Sequence, residues 1–176
     1  MTASGHDEVK AQVLRAALSK EAGRIEEDSI HSAKSHFNAA DSWRIRHYWL
    51  GVPATMLGVA AGAAIVKNRP EAAQIFSLTA TILTGLLTFL KPGERAAQHK
   101  TVADQYLALK NDARIFREVD LLLGEEGQDH AEMLRALSQR RNELNQGSPE
   151  IPRTAFVAAR RGIEEGEANY QVDRKE

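Results

Sequence analysis

Polar and apolar positions separate along this chain into a charged lead-in, two uncharged runs and a charged remainder. From Val9 to His47 the residues are rich in Ala, Glu and Lys, Pro is missing and Gly23 is the one breaker, a pattern that predicts one long helix or two in tandem. Leu14, Leu18, Ala22 and Ile25 form one stripe at helical spacing and Ala33, Phe37 and Ala40 another, so this segment is expected to pack against a partner helix. From Tyr48 to Val66 no charged side chain occurs over nineteen residues, close to the roughly twenty that cross a hydrocarbon core about 30 Å thick. After a short turn from Lys67 to Glu71, a second uncharged run extends from Ala72 to Leu90 and ends at Lys91-Pro92-Gly93.

The two runs differ in strength. Ile75, Phe76, Leu78, Ile82, Leu83, Leu86, Leu87, Phe89 and Leu90 favour insertion of the second by roughly −4 kcal/mol, at about −0.45 each, before polar penalties. Leu50, Val52, Leu57, Val59, Ile65 and Val66 give the first roughly −3 kcal/mol on the same scale, weakened further by its glycines and Pro53. A soluble four-helix bundle with both runs buried is the competing reading, but bundle helices keep a polar stripe toward water and neither run offers a charge for one. Tyr48 and Trp49, preceded by Arg44 and Arg46, fit an interfacial aromatic and basic anchor. A long polar segment before the first run and a second run directly after it argue against a cleaved signal peptide.

Beyond the runs, Glu94 to Leu123 is expected to form a long helix. Val102, Tyr106, Leu109, Ala113, Phe116 and Leu123 recur along it at four- and three-residue steps as a packing seam that misses one turn at Asp120. Gly124-Glu-Glu-Gly127 is expected to end it. A further helix starts near Asp129 with Met133, Leu137 and Leu144, stops at Gly147-Ser-Pro-Glu-Ile-Pro152, and gives way to a last helix from Arg153 with Phe156, Val157 and Ile163. The final residues are expected to fray.

The fold class that follows is all-α: a membrane protein with a two-helix transmembrane hairpin and long cytoplasmic helices, expected to oligomerise. Its parts are a cytoplasmic helical segment over 1–47, a first transmembrane helix over 48–66, an external turn over 67–71, a second transmembrane helix over 72–90 and a cytoplasmic helical region over 91–176. Lys34, Arg44 and Arg46 before the spans and Lys91, Arg95, Lys100 and Lys110 after them outweigh Lys67 and Arg69 in the turn, which places both termini in the cytoplasm.

Composition adds mostly exclusions. A net charge of −1 gives no basic excess for nucleic acid. With no Cys there are no disulfides, zinc-thiolate sites or thiol nucleophiles. Asp28-Ser-Ile-His31, with Glu27 beside it, has the carboxylate-x-x-His spacing of some metal-binding helices, but a charged helix produces such spacings by chance and solvated charges are the better reading. His99 and His130 have no evident partners in the sequence. With no phosphate loop, nucleophile elbow or paired-carboxylate motif, the expectation is no enzyme, no catalytic residue, no metal and no cofactor.

Two patterns inside the runs carry the functional expectation. Ala54, Gly58 and Gly62 at four-residue steps leave one face of the first run almost bare, suited to close helix packing against either the second run or another protomer. Gln74, Ser77, Thr81, Thr84 and Thr88 fall on one face of the second run, and Lys91 continues the row at its cytoplasmic end. Such a row must face other helices or water, which makes it a pore lining if protomers gather round an axis. Alternatively the hydroxyls bond back to their own helix and the row serves packing alone.

The ensemble resembles the SLATT family, the SMODS and SLOG-associating two-transmembrane effectors found beside bacterial nucleotide-second-messenger synthases. The residues that carry the resemblance are the polar lead-in, His47-Tyr-Trp-Leu-Gly-Val-Pro53, the short turn, Phe89-Leu-Lys-Pro92, Glu94-Arg-Ala-Ala-Gln-His-Lys100, Val102-Ala-Asp-Gln-Tyr106 and Leu109. It implies a membrane effector of antiviral defence in the bacterial inner membrane, forming a homo-oligomeric pore or disrupting the bilayer. The trigger implied is a separate sensor protein or a nucleotide second messenger, since no sensor domain is appended. A non-conducting membrane anchor or scaffold for a cytoplasmic partner is the other class the residues allow.

Overall fold

A computed structural model describes residues 3–123 and 127–170, and every regular element among them is a helix. Helix α1 runs Ala3–Val66, α2 Pro70–Leu90 and α3 Pro92–Ile115; a π-helical turn, Phe116–Asp120, leads into the short α4, Leu121–Leu123, and α5 (Gly127–Gly147) and α6 (Arg153–Glu164) follow. The charged lead-in and the first uncharged run therefore belong to one helix, because no breaker separates His47 from Tyr48. The stop expected at Gly124-Glu-Glu and the fraying of the last residues lie outside the described residues.

The chain divides into two units, Met1–Asn38 with Lys100–Glu176, and Ala39–His99. In the first, Leu18, Ala22, Phe116 and Leu121 form a buried cluster covered by Ala131, Leu134 and Leu137. Ile25, Leu109 and Ala113 form a second, covered by Leu134, Leu137 and Leu144. Each large side chain so buried contributes roughly 1.5–3 kcal/mol. The helices α1, α3 and α5 thus share one core, joined by α6 through buried Ala155 and Ala159 and an Asn38 amide that donates to the Ala155 carbonyl at 3.3 Å. Buried Gly162 lies beneath the ion pair of Lys34 and Glu167, where any side chain would collide with both groups.

The π turn corrects the expected seam. By taking one extra residue per turn, it carries the buried face from Phe116 to Leu121, five positions on, and leaves Leu123 79% exposed. Leu14, expected in the α1 stripe, is also exposed.

In the second unit the turn between α1 and α2 is shorter than 67–71. Asn68 is left-handed (φ 57°), its N–H donates to the Ile65 carbonyl and that of Arg69 to the Ala64 carbonyl, the paired bonds of a Schellman stop. Pro70 then opens α2, where its missing N–H costs nothing. At the other end Lys91 is left-handed (φ 45°) and donates to the Leu87 carbonyl, closing α2 before Pro92 opens α3. Both helices that contain the uncharged runs are long and apolar enough to cross a membrane, and only 17% and 11% of their most apolar stretches is buried. Val66 and Phe89 stand 87% and 85% exposed. Neither run is the buried core of a soluble bundle formed by the described residues.

Candidate functional site

Two neighbouring faces of α2 have different uses. Ala73, Phe76, Ala80, Leu83, Leu87 and Leu90 are its covered positions, at steps of three and four, and a Cβ built on Gly51 of α1 would touch the Leu87 side chain at 3.8 Å. Gln74, Ser77, Thr81, Thr84, Thr88 and Lys91 each follow one of these by a single residue, and all six are exposed. One residue is a rotation of about 100°. The polar row therefore flanks the contact of α2 with α1 without entering it.

Between the helices on that side runs an open groove of about 780 Å³ lined by Ala54, Gly58 and Ala61 of α1 and by Ser77, Ala80, Thr81, Thr84, Gly85, Thr88 and Phe89 of α2. The small residues of α1 are divided by it. Ala54 is buried, with Ala61 and Ala64. Gly58 and Gly62, like Gly85, would carry a methyl group with no other atom within 4 Å. Close packing at Gly58 and Gly62 is thus not used within the chain. Gln74, Gly62 and Lys91 lie outside the groove lining.

Two hydroxyls of the row bond back to their own helix. The Thr81 hydroxyl donates to the Ser77 carbonyl at 2.8 Å and that of Thr88 to the Thr84 carbonyl at 3.0 Å, as Thr79 does to Ile75 and Thr55 to Gly51. These bonds satisfy the hydroxyl donors without water, while the oxygens remain able to accept.

At the ends of the runs toward Trp43 and Arg95, Tyr48 and Trp49 are exposed, as an interfacial belt requires. Arg44 pairs with Asp41 at 2.7 Å and Lys91 with Glu94 at 3.1 Å. His99 is buried at 3% exposure, and burial, aided by the Arg95 charge, lowers its pKa below 6.5.

The helical unit contains its own cavity, about 560 Å³, walled by Gly23, Glu26, Glu27, Lys110, Arg117 and Tyr170 among others. Buried Lys110 donates to the Tyr170 hydroxyl at 2.8 Å. Arg117 Nη2 lies 3.2 Å from Glu26 Oε2, near enough for an ion pair but off the line of a hydrogen bond, so that oxygen is buried without a donor. Of the groups read as a chance metal spacing, Asp28 accepts from Arg141 at 3.0 Å, and among the described residues no set of three His, Cys, Asp or Glu side chains is placed to hold a metal. His130 Nε2 sits 3.0 Å from the Asp120 carbonyl at the π turn and its ring meets Phe116 edge-on, a partnership that its sequence neighbours do not reveal. Sequence reasoning also missed the burial of Ser29, Ser35 and His36, polar residues on a helix whose apolar stripe alone was read as packed.

Comparisons with protein-family models, with curated proteins and with solved structures find no match to this chain.

Proposed function

We propose that this chain is a membrane effector of a bacterial defence system, of the SLATT kind, that assembles into a pore or disrupts the bilayer when a sensor protein or small ligand triggers it. In this reading α1 and α2 cross the inner membrane as a hairpin with both termini cytoplasmic, and several copies gather with Gln74, Ser77, Thr81, Thr84 and Thr88 around an axis. The observation that carries it is the exposure of the polar row beside, rather than within, the α1–α2 contact. A row that only packed the hairpin would be covered in the single chain. The bare groove floor at Gly58 and Gly85 supports assembly further, since small residues let a second backbone approach closely in lipid. A small-molecule trigger would enter the cavity of the helical unit, and a sensor protein would dock on the same unit.

The test is ion or dye flux through liposomes holding equal amounts of assembled parent and Thr81→Val/Thr84→Val protein. Valine keeps the shape and removes the hydroxyls, so insertion and assembly persist while a wetted passage dries and closes. Loss of flux, and of toxicity on overexpression, is the expected result. Equal flux from both proteins, or none from the parent under any trigger, would leave the non-conducting anchor in its place.

A further inference from the structure

We infer that Arg46 and Arg95, both stacked on the Trp43 indole, form a binding site for the phosphate headgroup of an anionic phospholipid. The guanidinium carbons lie 4.6 Å and 4.8 Å from the centre of the Trp43 ring. Trp43 and Arg46 are three residues apart on α1, so they share a face. Arg95 reaches the same indole from the first turn of α3, which His47 meets where its ring lies 3.5 Å from the position a Cβ of Gly93 would take.

Stacking occupies the face of a guanidinium and leaves its in-plane N–H fork free to grip two oxygens at once. The neighbouring cations already have carboxylate partners, Arg44 in Asp41 and Lys91 in Glu94. Among the described residues neither Arg46 nor Arg95 forms an ion pair, and both are exposed. Two like charges held on one ring repel each other, and a bound anion offsets that repulsion. A phosphate diester has the charge and the paired oxygens to do so.

Position selects a lipid as the source of that phosphate. Trp43 is five residues before Tyr48 on the unbroken helix α1, so at about 1.5 Å per residue it lies about 7.5 Å beyond the first uncharged run, and Arg95 meets it there from the first turn of α3. The headgroup layer on each side of a bilayer is about 5–7.5 Å deep. The site thus stands at headgroup depth, beside the exposed rings of Tyr48 and Trp49. It rests on the membrane reading proposed above.

The experiment measures lipid retained by protein in neutral detergent, using native mass spectrometry with equal phosphatidylglycerol and phosphatidylcholine. Two basic side chains at the surface give the parent a preference for phosphatidylglycerol of about thirtyfold, about fivefold for each. Arg46→Gln/Arg95→Gln should bring the ratio near one, and Lys67→Gln/Arg69→Gln at the turn should not. Trp43→Leu leaves the net charge unchanged, so a diffuse attraction would survive it and a built site would weaken severalfold. An unchanged melting temperature certifies that each variant is folded. The site is overturned if the double glutamine variant keeps the parental preference, if the turn variant loses it equally, or if inorganic phosphate or an acidic peptide displaces the lipid at equal concentration. Carbonate extraction of the same proteins separates the two readings: release from membranes fails the membrane reading, whereas retention without lipid preference fails this site alone.

Discussion

Tyr106 of α3 stacks on His36 of α1, with ring centroids 5.8 Å apart and planes inclined by 14°, while its hydroxyl donates to Asn145 Oδ1 of α5 at 2.6 Å. One side chain therefore joins three helices of the helical unit, and both rings are buried, at 2% and 1% exposure. The stack lies beyond the cluster of Ile25, Leu109 and Ala113, one turn from Leu109 along α3, where a hydrogen-bonded group helps fix the register of the helices.

Tyr106→Phe should keep the stack and lose the bond to Asn145, a cost of about 0.5–1.5 kcal/mol, since Asn145 is exposed and water can replace the lost donor. Tyr106→Ala removes the ring as well and should cost about 3–5 kcal/mol. Thermal or denaturant unfolding followed by circular dichroism in mild detergent measures both. Burial also raises the phenol pKa above 10, against the opposing bonds of Ser148 and Ser32. The neutral phenol is thus favoured by the fold: its contribution is complete below pH 10 and is lost as pH rises through the folded value. The phenylalanine variant should lack this alkaline loss, and an identical alkaline profile in both proteins would refute the assignment.

At His99 the sign is opposite. Its pKa is lowered from 6.5 by burial first and by Arg95 second, so the folded state resists the proton that the unfolded chain accepts. Stability from this residue is fully present above pH 6.5 and is lost as pH falls through the lowered folded value. Removing the charge in Arg95→Gln should move the folded value back toward 6.5 and flatten the acid dependence. Melting curves of the two proteins between pH 7.5 and pH 5, about the range in which histidine titrates, test this. A steeper acid loss in the variant would contradict it.

Gly58 and Gly62 face open space in the single chain, so their replacement separates folding from assembly. Gly58→Leu and Gly62→Leu should leave the melting temperature of dilute protein nearly unchanged, and should weaken association between copies by about 1–3 kcal/mol, the cost of overfilling a close helix contact. Oligomer distribution in mild detergent reads the effect. If both variants assemble like the parent, copies do not meet at these glycines.

The helices and the uncharged runs were legible because each is a local pattern: freedom from charge over Tyr48 to Val66, or a row of hydroxyls at steps of three and four. What the residues could not convey is which of two adjacent faces a helix presents to its neighbour. Ala54, Ala61 and Ala64 are nearly as small as Gly58 and Gly62, yet the three alanines are buried while a Cβ at either glycine would meet open space. The seam beyond Phe116 failed for a related reason. The regular step of three and four does not continue through Asp120, whose carbonyl faces His130 in a π turn that no periodic template contains. Trp43 and Arg95 are fifty-two positions apart, so no local pattern joins them, and in the sequence Arg46 is one flanking charge among several rather than half of a stack.

Lys91 combines two roles that substitution can pull apart. It closes α2 in the left-handed conformation, which costs a residue with a Cβ roughly 1–2 kcal/mol, and it ends the polar row with a positive charge. Lys91→Gly should relieve the strain and stabilise the protein by about 1 kcal/mol, as glycine does at helix stops. Lys91→Glu keeps the strain and places a second carboxylate beside Glu94, the present partner of the lysine at 3.1 Å, so it should destabilise slightly. Conductance orders the variants differently. A lysine at the mouth of a pore attracts anions, glycine removes the bias and glutamate reverses it. Reversal potentials measured across a potassium chloride gradient should therefore shift in one direction from parent through Lys91→Gly to Lys91→Glu, although stability rises in the first variant and falls in the second. Equal reversal potentials for all three would remove Lys91 from the conduction path while leaving its part in ending α2 intact.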